Sequence, residues 1–290
     1  MKSCISTYSY FKLYQTGEFT HIDAINKTKE LGCEGVEFVL DDNPPKANPR
    51  DFALELTEHA KKIGLETPIY TTNANFFIPE PEKEVERVCK HIDIAAECGI
   101  PLLRHDAAWG YYEGYNGIKN YRKVIEHIAP YISKVADYAA SKGIITCTEN
   151  HGRLLQDSER MTELFLTVDN PNYRFLCDVG NFGGVDENNI TACSKLFDLI
   201  VHVHAKDNFT RSGMSYNPGR GFNLSRGGNY RRGTIFGHGD VATFQILNAI
   251  RNSGYNGFVS LEFEGMEETI DAVTIGTENL QRMIKDIEGK

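Results

Sequence analysis

The chain has 290 residues, 41% of them hydrophobic, enough to bury a large core in one or two domains. A formal net charge of −9 and a pI near 5.5 exclude a broad surface for nucleic acid or anionic membrane, because such partners demand clustered positive charge. No apolar run approaches the roughly 18 to 20 residues that span a bilayer and the first residues lack the apolar core of a signal peptide, so a cytoplasmic protein with a small-molecule partner is expected.

From one end to the other, short apolar runs alternate with amphipathic stretches, the pattern of repeated βα units with parallel strands. Eight units are counted. The expected strands, in chain order, are Ser3–Tyr8, Gly35–Leu40, Glu66–Thr71, Pro101–His105, Ile144–Glu149, Phe175–Asp178, Ile200–Ala205 and Phe258–Phe263. Between them, apolar residues recur at helical steps, clearest in Tyr121, Val124, Ile125, Ile128, Ile132, Val135 and Ala139, a helix bent at Pro130. Gly32, Gly64, Gly99, Gly143 and Gly254 each follow a periodic segment and precede an apolar run, where a glycine takes the left-handed conformation that ends a helix. The seven cysteines are scattered through these apolar patterns and read as reduced core residues, with neither a zinc spacing nor a disulfide framework.

The fold class expected from this order is α/β, a (β/α)8 TIM barrel forming a single domain over residues 1–290, interrupted by one long irregular active-site loop at 208–239. An open doubly wound sheet fits the same count of units, but its nucleotide-binding glycine signatures are absent.

In a parallel barrel the chemistry gathers at the C-terminal ends of the strands. Four strands in the second half end in potential metal ligands: Glu149 in TENHG, Asp178 in CDVGN, His204 in HVHAKD and Glu262 in SLEFEG. Any one of them alone reads equally well as an ordinary polar strand end. Three carboxylates brought together repel and retain protons unless a cation lies between them. One imidazole with three carboxylates suits one divalent metal ion, Mn²⁺ first, with Mg²⁺, Co²⁺, Fe²⁺ and Zn²⁺ open. Alternation along the last strand makes Glu264 a rival to Glu262, and sets His202 one layer below His204.

These motifs, with GHGDV at 237–241 and GYNGFVSLEFEG at 254–265, resemble the xylose-isomerase-like TIM-barrel superfamily, the sugar phosphate isomerase/epimerase family, over nearly the whole chain. The resemblance implies that Glu149, Asp178, His204 and Glu262 bind the metal and that Glu262, which comes first in its motif, is the ligand rather than Glu264. It also implies that Glu37, inward at the end of the second strand, completes the pocket. Asn181 departs from the His that several ketose epimerases of the family carry three residues after the metal-binding Asp.

Further substrate-binding candidates are His105, Asp106 and Trp109 after the fourth strand, His151 two residues beyond Glu149, and Lys206 in HAKD. Arg211, Arg220, Arg226, Arg231 and Arg232 cluster in the 208–239 loop with no acid before Asp240, and Arg231 and Arg232, nearest the returning chain, are the candidates for anion contact. A solvated loop or a subunit contact accounts for them equally well.

The expected function is a metal-dependent isomerase or epimerase acting on a sugar, keto-sugar or polyol derivative through a metal-stabilised enediolate, with Glu149 and Glu262 as the proton-transfer pair. The alternative is a lyase or dehydratase acting on a keto-sugar, inosose or 3-keto-glycoside. Cleavage of abasic DNA in the manner of endonuclease IV requires more metal ligands and a positive face, and a binding module without catalysis requires a metal-free pocket filled by its own loops. The partner is a carbohydrate, with no nucleic acid and no membrane, and homo-oligomerisation is left open.

Overall fold

The computed structural model describes residues 1–40 and 48–289. Strands β1 (Lys2–Ser6), β2 (Gly35–Val39), β3 (Ile69–Thr71), β4 (Leu102–Arg104), β5 (Ile145–Glu149), β6 (Tyr173–Asp178), β7 (Ile200–Ala205) and β11 (Phe258–Leu261) pair in parallel. They close in sequence order, β11 meeting both β1 and β7, into the expected eight-stranded (β/α)8 barrel. Each expected strand is present. The third is shorter than expected, because Pro68 cannot donate to a ladder: Glu66 makes only an isolated bridge to Gly35, and regular pairing starts at Ile69. The first strand stops at Ser6, where the chain turns into a 3₁₀ segment, Thr7–Tyr10, and a short helix α1, Phe11–Tyr14.

Helices α2 (His21–Glu30), α3 (Pro49–Lys62), α4 (Pro81–Cys98), α5 (Tyr121–Ser141), α6 (Ser158–Val168), α7 (Asn189–Ser194), α8 (Thr243–Asn252) and α9 (Thr269–Ile287) alternate with the strands. Each buries one apolar face. In α5 that face is Val124, Ile128, Ile132, Val135 and Ala139, with Pro130 accommodated inside the helix. The five glycines expected to end helices all have positive φ, from 70° to 103°. No helix among the described residues is long and apolar enough to cross a membrane, and all seven cysteines are free thiols.

The 208–239 excursion is more ordered than its composition suggests. Strands β8 (Asp207–Arg211), β9 (Asn223–Leu224) and β10 (Tyr230–Thr234) form a small antiparallel sheet in the order β8-β10-β9. Its strands consist of Asn, Arg, Thr and Gly with few apolar residues, so no period-2 signal marks them. Two carboxylates tie the sheet down. Asp186 accepts from Ser225 Oγ (2.6 Å), Asn229 Nδ2 (2.7 Å) and the Gly227 amide. Asp207 accepts from the amides of Asn208, Gly237, Gly239 and Val241 at 2.8 to 3.2 Å, which closes the GHGDV segment back onto the barrel. A Cβ on Gly239 would stand 2.1 Å from the Asp207 carboxylate, so only glycine lets the chain approach this closely.

Asp207 is buried and serves four amides, so Asp207→Ala leaves donors without partners and is expected to cost about 3 kcal/mol. A shift of the urea unfolding midpoint with unchanged slope checks this. A midpoint within error of the parent protein would show that the excursion is held by other contacts.

Candidate functional site

Side-chain alternation selects what enters the mouth of the barrel. On β5, Cys147 and Glu149 point inward, on β6 Leu176 and Asp178, on β7 His202 and His204, and Glu262 follows β11. Cys147 and Leu176 pack with Ile69 as an apolar plug within the barrel, one layer below the charged groups. Between Phe175 and Leu176 the β6–β7 register slips by one residue, which brings His204 opposite Asp178.

The four candidate ligands converge. One donor atom from each of Glu149, Asp178, His204 and Glu262 lies within 4.8 Å of the others, and all four side chains are buried. Glu264, the rival read from alternation, stands at the rim, 39% exposed, with its carboxylate 3.4 Å from Lys206.

Each member is aimed by its neighbours. Asp178 Oδ1 accepts from the amides of Gly180 and Asn181 at 2.8 and 2.9 Å, which turns Oδ2 toward the cluster. Asn150 pairs with both backbone groups of Asp178, its Oδ1 accepting from the amide and its Nδ2 donating to the carbonyl. Glu149 is clasped by Arg104 Nη2 and Asn181 Nδ2, both at 2.8 Å. The amide at 181, where several ketose epimerases place a His, thus orients a carboxylate. His204 Nε2 lies 3.0 Å from both oxygens of Glu37, which assigns the proton to Nε2 and presents Nδ1 to the cluster. Glu37 is fully buried beneath His204 and also faces His202 Nε2 at 3.3 Å, so it supports the imidazoles from below.

The electrostatics call for added positive charge. Burial, opposed by Lys206 but reinforced by Glu149 and Glu262, pushes Asp178 up to about 7. Burial also works against ionised Glu149 and Glu262, yet Arg104 with His204 holds Glu149 well below the usual range, and Lys206 with His204 holds Glu262 near 2. Asp178 Oδ2, His204 Nδ1 and Glu262 Oε2 are buried and make no hydrogen bond. The Lys206 ammonium lies 3.0 Å from Asp178 Oδ2 and 2.5 Å from Glu262 Oε2, charge contacts that do not have hydrogen-bond alignment. Three buried donor atoms without a hydrogen bond, on one imidazole and on two carboxylates held against a lysine, fit a divalent cation.

A cavity of about 440 Å³ opens above the cluster, lined by Glu149, His204, Lys206 and Glu262 and by residues that follow β1 to β4, among them Tyr8, Thr72, Asn73 and Arg104. His151 also lines it, with Nδ1 3.0 Å from Asp106 Oδ1. Other expected contacts lie elsewhere. His105 is fully buried against Phe76 and Tyr173, because alternation on β4 sends Arg104 inward and its neighbour outward. Burial lowers the His105 imidazole to about 4. Trp109 is 53% exposed, and neither it nor Glu37 lines the cavity. Arg231 donates to the Gly180 carbonyl at 2.7 Å, Arg232 pairs with Glu267, Arg226 with Asp157 and Arg211 with Asp240. None of the loop arginines lines the cavity.

Arg104 and Tyr8 are the functional candidates that sequence reasoning missed. Arg104 bridges Asp106 and Glu149 at 2.8 Å each while 6% exposed. The signal was present in PLLRHD, where period-2 alternation from Leu102 puts Arg104 inside.

A family model for the xylose isomerase-like TIM barrel matches residues 25–286. The chain belongs to this family. Among solved structures, the D-psicose 3-epimerase of Clostridium cellulolyticum superposes with a TM-score of 0.73 at 16% identity, over 97% of this chain and 98% of that one. The 3-keto-D-glucoside 4-epimerase of E. coli gives 0.69 at 16% identity over 97% and 99%, and a probable 3-DHS dehydratase of Bacillus anthracis gives 0.72 at 17% over 97% and 99%. At these identities the likeness is one of fold. No curated protein matches the chain in sequence.

Manganese titration of the purified protein, followed by calorimetry, is expected to saturate near one ion per chain. Asp178→Ala and His204→Ala should each nearly abolish binding, and Glu37→Gln, which loosens the His204 tautomer, should weaken it by about 10- to 100-fold. Full occupancy in both alanine variants would reject the ligand set.

Proposed function

We propose that the chain is a divalent-metal-dependent isomerase or epimerase acting on a sugar, keto-sugar or polyol derivative, with Glu149, Asp178, His204 and Glu262 holding the ion. The observation that carries this reading is the convergence of those four side chains, three of their buried donor atoms making no hydrogen bond, at the floor of a cavity of ligand size. When bound, the ion supplies Lewis-acid polarisation of a carbonyl and its neighbouring hydroxyl, which acidifies the intervening C–H bond.

Glu149 and Glu262 come from strands on different sides of the mouth. A substrate carbon between them can lose a proton to one carboxylate and regain it from the other, which inverts the centre, or one carboxylate can carry the proton between adjacent carbons. Arg104 and Asn181 hold Glu149 ionised and oriented for that transfer. Lys206, which lines the cavity beside Glu262 and Glu264, would be placed to donate to a substrate oxygen. The excess of acidic groups at the mouth speaks against a phosphodiester substrate, and so against cleavage of abasic DNA.

The His151–Asp106 pair favours a second reading, elimination by a lyase or dehydratase. A carboxylate that orients a cavity-lining imidazole makes a proton donor for a leaving group β to the carbonyl. Product mass separates the readings, since isomerisation conserves it and elimination does not.

Glu149→Gln and Glu262→Gln keep side-chain size and an oxygen ligand. Each is expected to retain part of the metal and lose about 10²-fold or more of activity. At least one should lose exchange of the substrate α-hydrogen in deuterated water. Exchange at the parent rate in both variants would move the base to His151, because His105 is packed outside the cavity.

A further inference from the structure

We propose that Arg231 is a positioning residue for the metal centre: from β10 it locks the peptide between Gly180 and Asn181, which aims Asp178 and carries the Asn181 side chain to Glu149. This rests on the ligand set assigned above, and it gives the small β8–β10 sheet a task at the site. Two observations carry it, one of connectivity and one of cost. A single peptide group joins Arg231 to a ligand. Arg231 Nη2 donates to the Gly180 carbonyl at 2.7 Å, and the N–H of that same peptide, on Asn181, donates to Asp178 Oδ1 at 2.9 Å. A cationic donor on the carbonyl polarises the peptide and strengthens its N–H as a donor. Holding both ends also fixes the plane of the peptide, and with it the direction of Asp178 Oδ2. The next carbonyl, that of Asn181, accepts from Gln156 Nε2. The Asn181 side chain, which reaches Glu149 Oε1 at 2.8 Å, therefore starts from backbone gripped on both sides.

The second observation is that Arg231 is placed at a cost that fastening the sheet does not explain. Arg211, Arg226 and Arg232 each pair with a carboxylate, whereas Arg231 has none within ion-pair distance among the described residues. Its Nε is buried and makes no hydrogen bond. Burial lowers the guanidinium from its usual range, and Asp178, Glu264 and Asp186 oppose that fall, so its charge reaches the acids of the site through the turn. A half-paired buried cation is a poor fastener, and Asp186 and Asp207 already tie the excursion down. The turn is shaped to admit it. Within the 3₁₀ segment Asn181–Val185, a Cβ on Gly183 would stand 3.2 Å from Arg231 Nε, and one on Gly184 would stand 2.7 Å from both Arg231 Nη1 and Gln156 Nε2. Neither glycine has a positive φ, so what the guanidinium requires of both is space.

Two measurements on the full chain test this: manganese affinity by calorimetry, and the visible absorption of the cobalt-loaded protein, whose bands report ligand geometry. Arg231→Met is expected to weaken manganese binding about tenfold and to change the cobalt bands. Arg231→Lys, which restores a cationic donor, should return affinity to within about threefold of the parent protein. Gly184→Ala leaves Arg231 in the chain but pushes its guanidinium off the turn. It should weaken manganese in the same direction, and it decides the matter by itself if Arg231→Met does not fold. Arg232→Met is the control, because alternation on β10 sends that side chain to the other face, against Glu267, Phe209 and Phe222. It should lower the urea midpoint and leave manganese affinity and the cobalt bands as in the parent. Parent affinity in both Arg231→Met and Gly184→Ala, or an equal loss in Arg232→Met, would overturn the proposal. A parent protein that takes up neither manganese nor cobalt would overturn the ligand set, and the proposal with it.

Discussion

Repulsion among buried carboxylates is the constraint on which the rest of the site depends. Glu149, Asp178 and Glu262 are brought within a few ångströms of one another in a medium that screens poorly, and Arg104, Lys206 and the imidazole of His204 only partly balance them. The result is visible in Asp178, which is driven up to about 7 despite a lysine at 3.0 Å. A protein that stores charge in this way is poised for a cation. Its second layer is spent on aiming lone pairs: Glu37 sets the tautomer of His204, Asn181 and Arg104 clasp Glu149, and two amides turn one oxygen of Asp178 away.

The barrel makes this concentration affordable because it separates the layers. Period-2 alternation places apolar Ile69, Cys147 and Leu176 immediately beneath the charged set, in the layer where His202 is the buried polar member, bonded to Ser260 and facing Glu37. The register slip between β6 and β7 adjusts the height of His204 to that of Asp178. The same alternation accounts for which neighbour is functional and which is structural: Arg104 enters the mouth while His105 packs between Phe76 and Tyr173.

Charge and shape divide the cavity into two halves. The half after β5 to β11 is acidic and suits a cation, whereas the half after β1 carries the rings of Tyr8, Phe11 and Tyr14. The small β8–β10 sheet packs behind Glu264 without lining the cavity, and its Arg231 and Arg232 are held by the Gly180 carbonyl and the Glu267 carboxylate. Local composition there points to an anion site. Pairing in three dimensions removes it.

The eightfold order, all eight barrel strands, the glycine-terminated helices and the grouping of Glu149, Asp178, His204 and Glu262 were legible in the sequence, because each rests on local periodicity or on a residue's position at a strand end. Strand limits at Pro68 and Ser6 were less so, and the sheet within 207–234 was not, since polar strands held by Asp186 and Asp207 have no hydrophobic period. The inward turn of Arg104, the burial of His105, the place of Glu37 under the imidazole and the engagement of Arg231 and Arg232 were decided only by tertiary structure. Each depends on which groups from distant segments meet, and a one-dimensional pattern carries the period of a strand but not the identity of the partner across the barrel.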